Sequence, residues 1–494
     1  MSEMALLPEV TAFLRRQHGS FIDGRSVTGE GAAFDLINPA SGDKVLSVNG
    51  ASAAQADAAM QAAAAAFSVW RDMPTLTRGT LLLKLADRLA AQREPLAQLE
   101  SLCSGKTIQL ARMLEIDQSV AFLRYFAGWA GKIHGETLDV SLPSFAGEKY
   151  TAFTRRQPLG VVVGIVPWNF SIMIAVWKLA AALVCGCTVV LKPSEFTPLT
   201  LLRVAELAAE CGFPPGVINV VNGDGAALGP RLIAHPACAK VSFTGSVATG
   251  AAVKRLAMEQ GKKLTLELGG KNAALFLDDL TPEAMVNGIL EAGYLNQGQI
   301  CAAAECFWLP RQKIDAVMAL LATRLAQINI GSPLDEATEM GPLANRAQYD
   351  KVLGLIAQAR AGGDTIVYGG EPLPGTGFYL QPTAIRAASE QSTLMTEETF
   401  GPVCSFIAYD EAEQALAAIN RSPFGLAASV WSQNISQALR FSERLEAGIV
   451  WINMHTFLDP ALPFGGVKGS GNGREFGSAF IDDYTELKSV MIRY

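Results

Sequence analysis

Leu159-Gly160-Val161-Val162-Val163-Gly164-Ile165-Val166-Pro167-Trp168-Asn169-Phe170 is the stretch on which the fold turns. Its apolar run at 161–166 breaks at Pro167 and Asn169, and short continuous runs of Val, Ile and Leu are how strands buried on both faces read. Further short apolar runs follow at 188–192, 217–221 and 240–244, each succeeded by a helix-like segment. That alternation is what a parallel sheet with crossover helices requires. The chain is read as α/β, with a doubly wound sheet of the dinucleotide-binding kind. Such sheets take ligands at the carboxyl ends of their strands, so the loops after Val166, Leu191, Val221 and Thr244 are expected to line a cofactor crevice.

Outward from this core, a second α/β series starts near Lys271 and runs to about Phe464, with strand-like segments at 272–276, 307–309, 404–408 and 448–452. The first 135 residues or so mix loop signals, such as Asn38-Pro39-Ala40-Ser41-Gly42, with Ala-rich helical patterns over 54–70 and 78–105. At the other end, 484–494 carries alternating Leu487, Val490 and Ile492 and reads as a strand that a monomer would leave as an exposed edge, which suggests subunit pairing.

Bulk properties narrow the class. A chain of 494 residues is too long for one ordinary core, and 50% hydrophobic with 18% charged residues is a globular composition. A net charge of -7 without any Lys/Arg-rich run argues against nucleic acid or an acidic membrane surface as partner. Glu3 and Pro8, with no cationic start before an apolar run, argue against a secretory signal, and no apolar stretch reaches the ~20 residues of a membrane span. Eight irregularly spaced cysteines without a CxxC pair read as reduced thiols, so a cytoplasmic protein is expected. Cys185 and Cys187 read as core packing. The four histidines, His18, His134, His235 and His455, are scattered, which argues against a metal site and a zinc alcohol dehydrogenase.

Several motifs could carry chemistry, and each alone has a plainer reading. Phe243-Thr244-Gly245-Ser246 sits where a strand gives way to a helix, a place where backbone N–H groups can face a pyrophosphate, though such turns are common. Lys192-Pro193-Ser194-Glu195 offers an acid for ribose hydroxyls that would repel a 2′-phosphate, and equally a surface ion pair. Glu267, at the end of an apolar strand beside Gly269 and Gly270, could be a general base with a raised pKa or merely a strand-end acid. Cys301 follows the polar loop Asn296-Gln297-Gly298-Gln299, unlike a core cysteine, yet a structural thiol remains open.

The combination resembles the aldehyde dehydrogenase superfamily. Pro-Trp-Asn-Phe (167–170), Lys-Pro-Ser-Glu (192–195), Phe-Thr-Gly-Ser (243–246), Glu-Leu-Gly-Gly-Lys (267–271), Gly-Gln-Ile-Cys (298–301), Glu-Glu-Thr-Phe-Gly-Pro (397–402) and Pro-Phe-Gly-Gly-Val-Lys-Gly-Ser-Gly (463–471) occur in that family's order. The resemblance implies a Rossmann-like NAD-binding domain over 1–135 and 156–268, an α/β catalytic domain over 269–465, and a small β oligomerisation segment over 136–155 and 480–494. It implies Cys301 as nucleophile, Asn169 with the Cys301 N–H as oxyanion donors, and Glu267 as the base that activates water on a thioester. Relatives that pass the acyl group to coenzyme A lack this acid, so a free carboxylate product is expected. Lys178 and Glu475 match a proton relay to the base. NAD would be held by Ile165, Pro167, Trp168, Lys192, Ser194, Glu195, Gly225, Phe243, Gly245, Ser246 and Leu268, with Glu398 and Phe400 at the nicotinamide ribose and ring.

For the aldehyde, the resemblance implies a tunnel of Phe170, Trp177 and Phe464, with Leu295, Ile300, Ala302 and Leu458 completing an apolar wall. No Arg or Lys stands at these positions, which argues against a carboxylate-bearing substrate. The stretches 164–170, 295–299 and 451–456, and the opening Phe13-Leu14-Arg15-Arg16-Gln17-His18-Gly19, are most similar to bacterial phenylacetaldehyde dehydrogenases, so phenylacetaldehyde is the expected substrate. A broader aliphatic or aromatic range, a thiol esterase using Cys301 and Glu267 without redox, and a binding protein that has lost catalysis are the alternatives. Ser171 stands where many relatives carry Pro, a departure that bears on the loop aiming Asn169. A homo-oligomer, dimer or tetramer, is expected.

Overall fold

The run at 161–166 forms the strand Val161–Ile165, and it lies at the middle of an eight-stranded sheet. The structure is a computed structural model that describes residues 5–494; Glu3, read above for the absence of a leader, lies outside the described residues. Five parallel strands make the centre of this sheet, in the order Lys263–Leu268, Cys238–Gly245, Val161–Ile165, Thr188–Lys192, Ile218–Val220. The strand order reverses between Val161–Ile165 and Cys238–Gly245. Chains leaving those two strands diverge to opposite faces and open a crevice at their carboxyl ends. Ser20–Ile22 and Arg25–Val27 extend one edge antiparallel, and Gly471–Asn472, from the far end of the chain, pairs with Lys263–Leu268 on the other.

The helix Ser171–Cys185 is buried along its whole length, because both its neighbours and the sheet cover it. Gly186, at φ 95°, ends it and turns the chain into Thr188–Lys192; the apolar stretch at 179–191 is thus a helix, a turn and a strand. Ala53–Asp72 opens on a reciprocal capping box between Ser52 and Gln55, and its small Ala56, Ala59 and Ala63 let it lie close to the sheet, where Thr188 Oγ1 donates to Ala63 O at 2.9 Å. The helical pattern over 78–105 is two helices, Thr75–Ala91 and Arg93–Ser104. Gln92, at φ −102° and ψ 21°, breaks the run.

A second, seven-stranded sheet runs Thr365–Tyr368, Thr383–Arg386, Val403–Tyr409, Ala304–Pro310, Asn272–Phe276, Ala427–Trp431, Ile449–Ile452, parallel except for the first pair. Only three residues separate Leu268, the last of one sheet, from Asn272, the first of the other. The carboxyl ends of the first sheet's strands therefore meet the amino ends of the second's. A three-stranded sheet pairs Tyr150–Pro158 with Thr137–Leu138 on one side and, along its full length, with Thr485–Arg493 on the other. The outer edge of Thr485–Arg493 has no strand beside it among the described residues, and Leu487, Met491 and Ile492 are exposed there. No helix among the described residues is long and apolar enough to cross a membrane.

Candidate active site

The cleft at the junction of the two large sheets is assembled from strand ends. Val161–Ile165 delivers Pro167, Trp168 and Asn169; Cys238–Gly245 delivers Thr244 and Gly245, followed by Ser246; Lys263–Leu268 delivers Glu267 and Leu268, then Gly269. Cys301 reaches the same cleft from the amino end of Ala304–Pro310, and Glu398 and Phe400 from the loop before Val403–Tyr409. Gln348 and Lys351, on the helix Arg346–Ala361, complete the wall and carry no sequence signal.

The loop that leads to Cys301 is held in an uncommon conformation. Asn296 and Gln297 sit at φ 51° and φ 56°, a left-handed pair that costs on the order of 1–3 kcal/mol per residue and persists only under outside constraint. The constraints are visible. Asn272 Nδ2 donates to Cys301 O at 2.7 Å and to Ala303 O at 2.9 Å, while its Oδ1 accepts from Ala427 N at 3.0 Å. His455 Nε2 is 2.7 Å from Ala302 O, and its Nδ1 is 2.8 Å from Ser429 Oγ. Burial brings this ring's pKa down to about 4, so it is neutral; Nε2–H donates to the carbonyl and Nδ1 accepts from the serine. Asn169 Nδ2 donates to Gln299 O at 3.0 Å, which ties the amide to the loop two residues before Cys301.

Of the charged side chains that line the cleft, Glu267 is buried, Glu398 half-buried and Lys351 exposed. Glu267 is buried and neither carboxylate oxygen has a partner. Burial, and then the charge of Glu475, pushes its pKa well above the usual carboxylate range. Burial, then Glu267 and Glu398, pushes the Cys301 thiol up to about 12, against the pull of the Ala302 and Cys301 N–H groups. The thiol at rest therefore keeps its proton, and a base or a positive charge must come to it before it attacks. Behind Glu267, Lys178 Nζ bonds Glu475 Oε1 at 2.8 Å and Ser242 Oγ at 2.9 Å, all three buried.

The cofactor side is also prearranged. Lys192 Nζ lies 2.7 Å from Glu195 Oε1, which accepts from Gly225 N at 2.6 Å as the helix Gly225–Ala234 begins. Ser194 Oγ accepts from Phe196 N at 3.3 Å. Ser246 Oγ caps the helix Val247–Glu259 by accepting from Thr249 N at 3.2 Å. Gly245 and Gly269 leave bare backbone: a Cβ at the first would come 2.6 Å from the Phe243 ring, and one at the second would fall on the Glu398 carboxylate. Thr244 Oγ1 is buried at the cleft without a partner. Glu398 Oε1 accepts from Gly270 N at 3.0 Å, and Phe400 meets Trp168 edge-on at 5.3 Å. Phe400 stands at φ 55°, and Glu305, unmarked in the sequence, holds it by accepting from Thr399 N at 2.8 Å and Phe400 N at 2.7 Å while pairing with Lys271. A narrow backbone cradle, an acid fixed by Lys192 and an unpartnered hydroxyl at the strand ends suit a dinucleotide.

The remaining positions fall in two sets. Phe170, Trp177, Ala302 and Phe464 are buried in one cluster, against which Ile300 and Leu458 pack, while half-buried Leu295 is not part of it. Trp177 and Phe464 lie 6.0 Å apart, and Phe122 and Phe476, which the sequence did not single out, close the aromatic group at 5.5 Å and 5.0 Å from Trp177. Ile165 and Phe243 lie side by side in register on adjacent strands beneath the cleft.

Comparison with known proteins bears on all of this. Residues 26–490 match the model of the aldehyde dehydrogenase family. The chain is 41% identical to a phenylacetaldehyde dehydrogenase of Pseudomonas fluorescens, over 97% of each, and 38% identical to retinal dehydrogenase 2 of Gallus gallus, over 100% of this chain and 95% of that one. It superposes on the NAD+ complex of an aldehyde dehydrogenase from Bacillus cereus with a TM-score of 0.96 and 40% identity, covering 99% of both chains.

Proposed function

Since the chain belongs to the aldehyde dehydrogenase family and has NAD as its cofactor, we propose that it oxidises phenylacetaldehyde to phenylacetate through a covalent intermediate on Cys301. The observation that carries this reading is that Cys301, Glu267 and Asn169, from three separate strand ends, line one cleft together with Glu398 and Phe400.

Cys301, half-buried at the cleft, gives up its thiol proton to solvent, and its Sγ adds to the aldehyde carbon, giving a thiohemiacetal whose oxyanion is met by Asn169 Nδ2 and the Cys301 N–H. When bound, NAD supplies the hydride acceptor through which that adduct becomes a thioester. Lys192 and Glu195 would hold its adenosine ribose, Ser246 its pyrophosphate, and Glu398 and Phe400 its nicotinamide ribose and ring. Glu267, once ionised, takes a proton from water, whose oxygen attacks the thioester carbon and returns the Cys301 thiolate. The buried Lys178–Glu475 pair behind Glu267 passes its proton outward.

The substrate assignment rests on the apolar cluster of Phe170, Trp177 and Phe464 and on the similarity to the Pseudomonas fluorescens enzyme. Similarity to retinal dehydrogenase 2 at nearly the same identity supports a second reading, a broader range of aliphatic and aromatic aldehydes. The exposed edge of Thr485–Arg493 supports a homo-oligomer, dimer or tetramer, to be checked by light scattering.

The test is NADH formation from NAD or NADP with phenylacetaldehyde, benzaldehyde, hexanal and succinate semialdehyde, with Cys301→Ala as control. Fastest turnover of phenylacetaldehyde with NAD, abolished in the variant, is expected. Faster turnover of another aldehyde replaces the substrate assignment; ester hydrolysis by Cys301 without NAD and no aldehyde oxidation would favour a thiol esterase.

A further inference from the structure

Three charged side chains, Glu100, Lys106 and Glu115, lie buried together on the far side of the Asn169 loop, away from the cleft lining. Lys106 Nζ is 2.5 Å from Glu115 Oε1, 2.8 Å from Asn169 O and 4.0 Å from the Phe170 ring centre. Glu115 Oε2 accepts from Ile172 N at 3.2 Å and Met173 N at 2.9 Å, the first turn of the helix Ser171–Cys185. Glu100 accepts from Ser171 Oγ at 2.8 Å and Thr200 Oγ1 at 3.0 Å, with Lys106 Nζ 4.0 Å from its Oε1. Every residue from 169 to 173 is thereby gripped by one member of this cluster, through a carbonyl, a ring, a hydroxyl and two N–H groups.

Stability alone does not account for the arrangement. Burying three ionisable groups costs several kcal/mol per ion, and apolar replacements of similar volume are often neutral or better. What ions supply that apolar side chains do not is direction, since each hydrogen bond fixes an angle as well as a distance. Glu115 also sits in a π-helical stretch, Ala111–Asp117, a local widening that re-aims side chains and recurs at functional sites. Burial and the Glu115 charge push the Glu100 carboxyl up to about 8. Ser171 donates its hydroxyl to Glu100 and so ties the loop to the cluster.

We propose that Lys106, backed by Glu115 and Glu100, is a positioning residue that clamps the Asn169-Phe170 main chain and so aims the Asn169 amide at the oxyanion. The inference rests on the reading of Asn169 as an oxyanion donor. The test is a double-mutant cycle with Lys106→Met and Asn169→Ala, reading kcat, KM and NAD affinity by titration. Asn169→Ala is expected to lose about 100-fold in kcat, in the range for one oxyanion donor. Lys106→Met is expected to lose tenfold or more in kcat with NAD affinity kept, and the double variant to be no slower than Asn169→Ala. Losses that multiply in the double variant overturn the inference and leave the Asn169 reading standing; full activity in Asn169→Ala removes that reading and the inference with it. If Lys106→Met does not fold, Glu115→Gln, which keeps the shape and one acceptor oxygen, takes its place in the cycle, and an unchanged kcat there overturns the proposal.

Discussion

Lys178 Nζ lies 2.8 Å from Glu475 Oε1, and neither side chain reaches solvent. Burial by itself would raise the Glu475 carboxyl, but the charge and hydrogen bond of Lys178, with Lys240 and Ser242, hold it below the usual carboxylate range. Glu475 therefore stays ionised, and its charge is, after burial, what pushes Glu267 upward.

Glu475→Gln is expected to move the pH dependence of kcat. In the proposed reading Glu267 acts as a base only when ionised, so its raised pKa makes the rate climb with pH. Removing the Glu475 charge, which after burial does most to raise it, lowers that pKa. The rising limb of a kcat-pH profile should shift toward acid; an unmoved limb breaks the electrostatic link between the two carboxyls.

Glu267→Gln keeps the shape of the side chain and removes the base proposed for the hydrolytic step. With NAD and aldehyde, rapid mixing should show one NADH per active site followed by a steady state slower by at least about 100-fold, as expected for loss of general-base catalysis. Linear turnover at the wild-type rate would mean that another group activates the water.

Gly269→Ala would drive a Cβ into the Glu398 carboxylate, which now accepts from Gly270 N. A side chain can swing away where a backbone cannot, so the protein should fold with its melting temperature little changed. The cost should appear as a several-fold rise in KM for NAD, since Glu398 would leave its place. An unaltered KM argues against Glu398 as a cofactor ligand.

His455 makes stability depend on acid. Its pKa falls from 6.5 to about 4 on folding through burial, so the unfolded chain binds the extra proton first. Stability from this residue is complete above pH 6.5 and is lost as pH falls from there to about 4, a change of about 3 kcal/mol in all. Melting temperatures measured through that window should fall more steeply for the wild-type protein than for His455→Asn.

Legibility in the sequence followed the range of the interaction concerned. The runs at 161–166, 188–192, 217–221 and 240–244 correspond to strands within two residues at either end, because a strand buried on both faces must be continuously apolar. Ala427–Trp431 escaped notice since Ala-Ala-Ser-Val-Trp has too few large apolar residues to stand out, although all five are buried. Thr365–Tyr368 and Thr383–Arg386 are only four residues each, and the first, at the sheet edge, is half-exposed. Gln92 gave no warning of the break in 78–105, being neither glycine nor proline.

The amino-acid sequence by itself determined the fold class, the family and the order of the reactive motifs, because each is written in contiguous residues whose periodicity or chemistry is local. Tertiary structure alone decided which of those motifs meet: Glu267 ends a strand of one sheet, Cys301 precedes a strand of the other, and the short link from Leu268 to Asn272 brings the two ends together. It alone also decided the supports. Lys106, Glu115, Asn272, Glu305 and His455 read as ordinary polar residues until their partners are known. Those partners lie 29 to 153 residues away for Asn272–Cys301 and His455–Ala302, and 63 for Lys106–Asn169. A buried polar group owes its place to the one group that satisfies it, and that pairing exists only once the chain has folded.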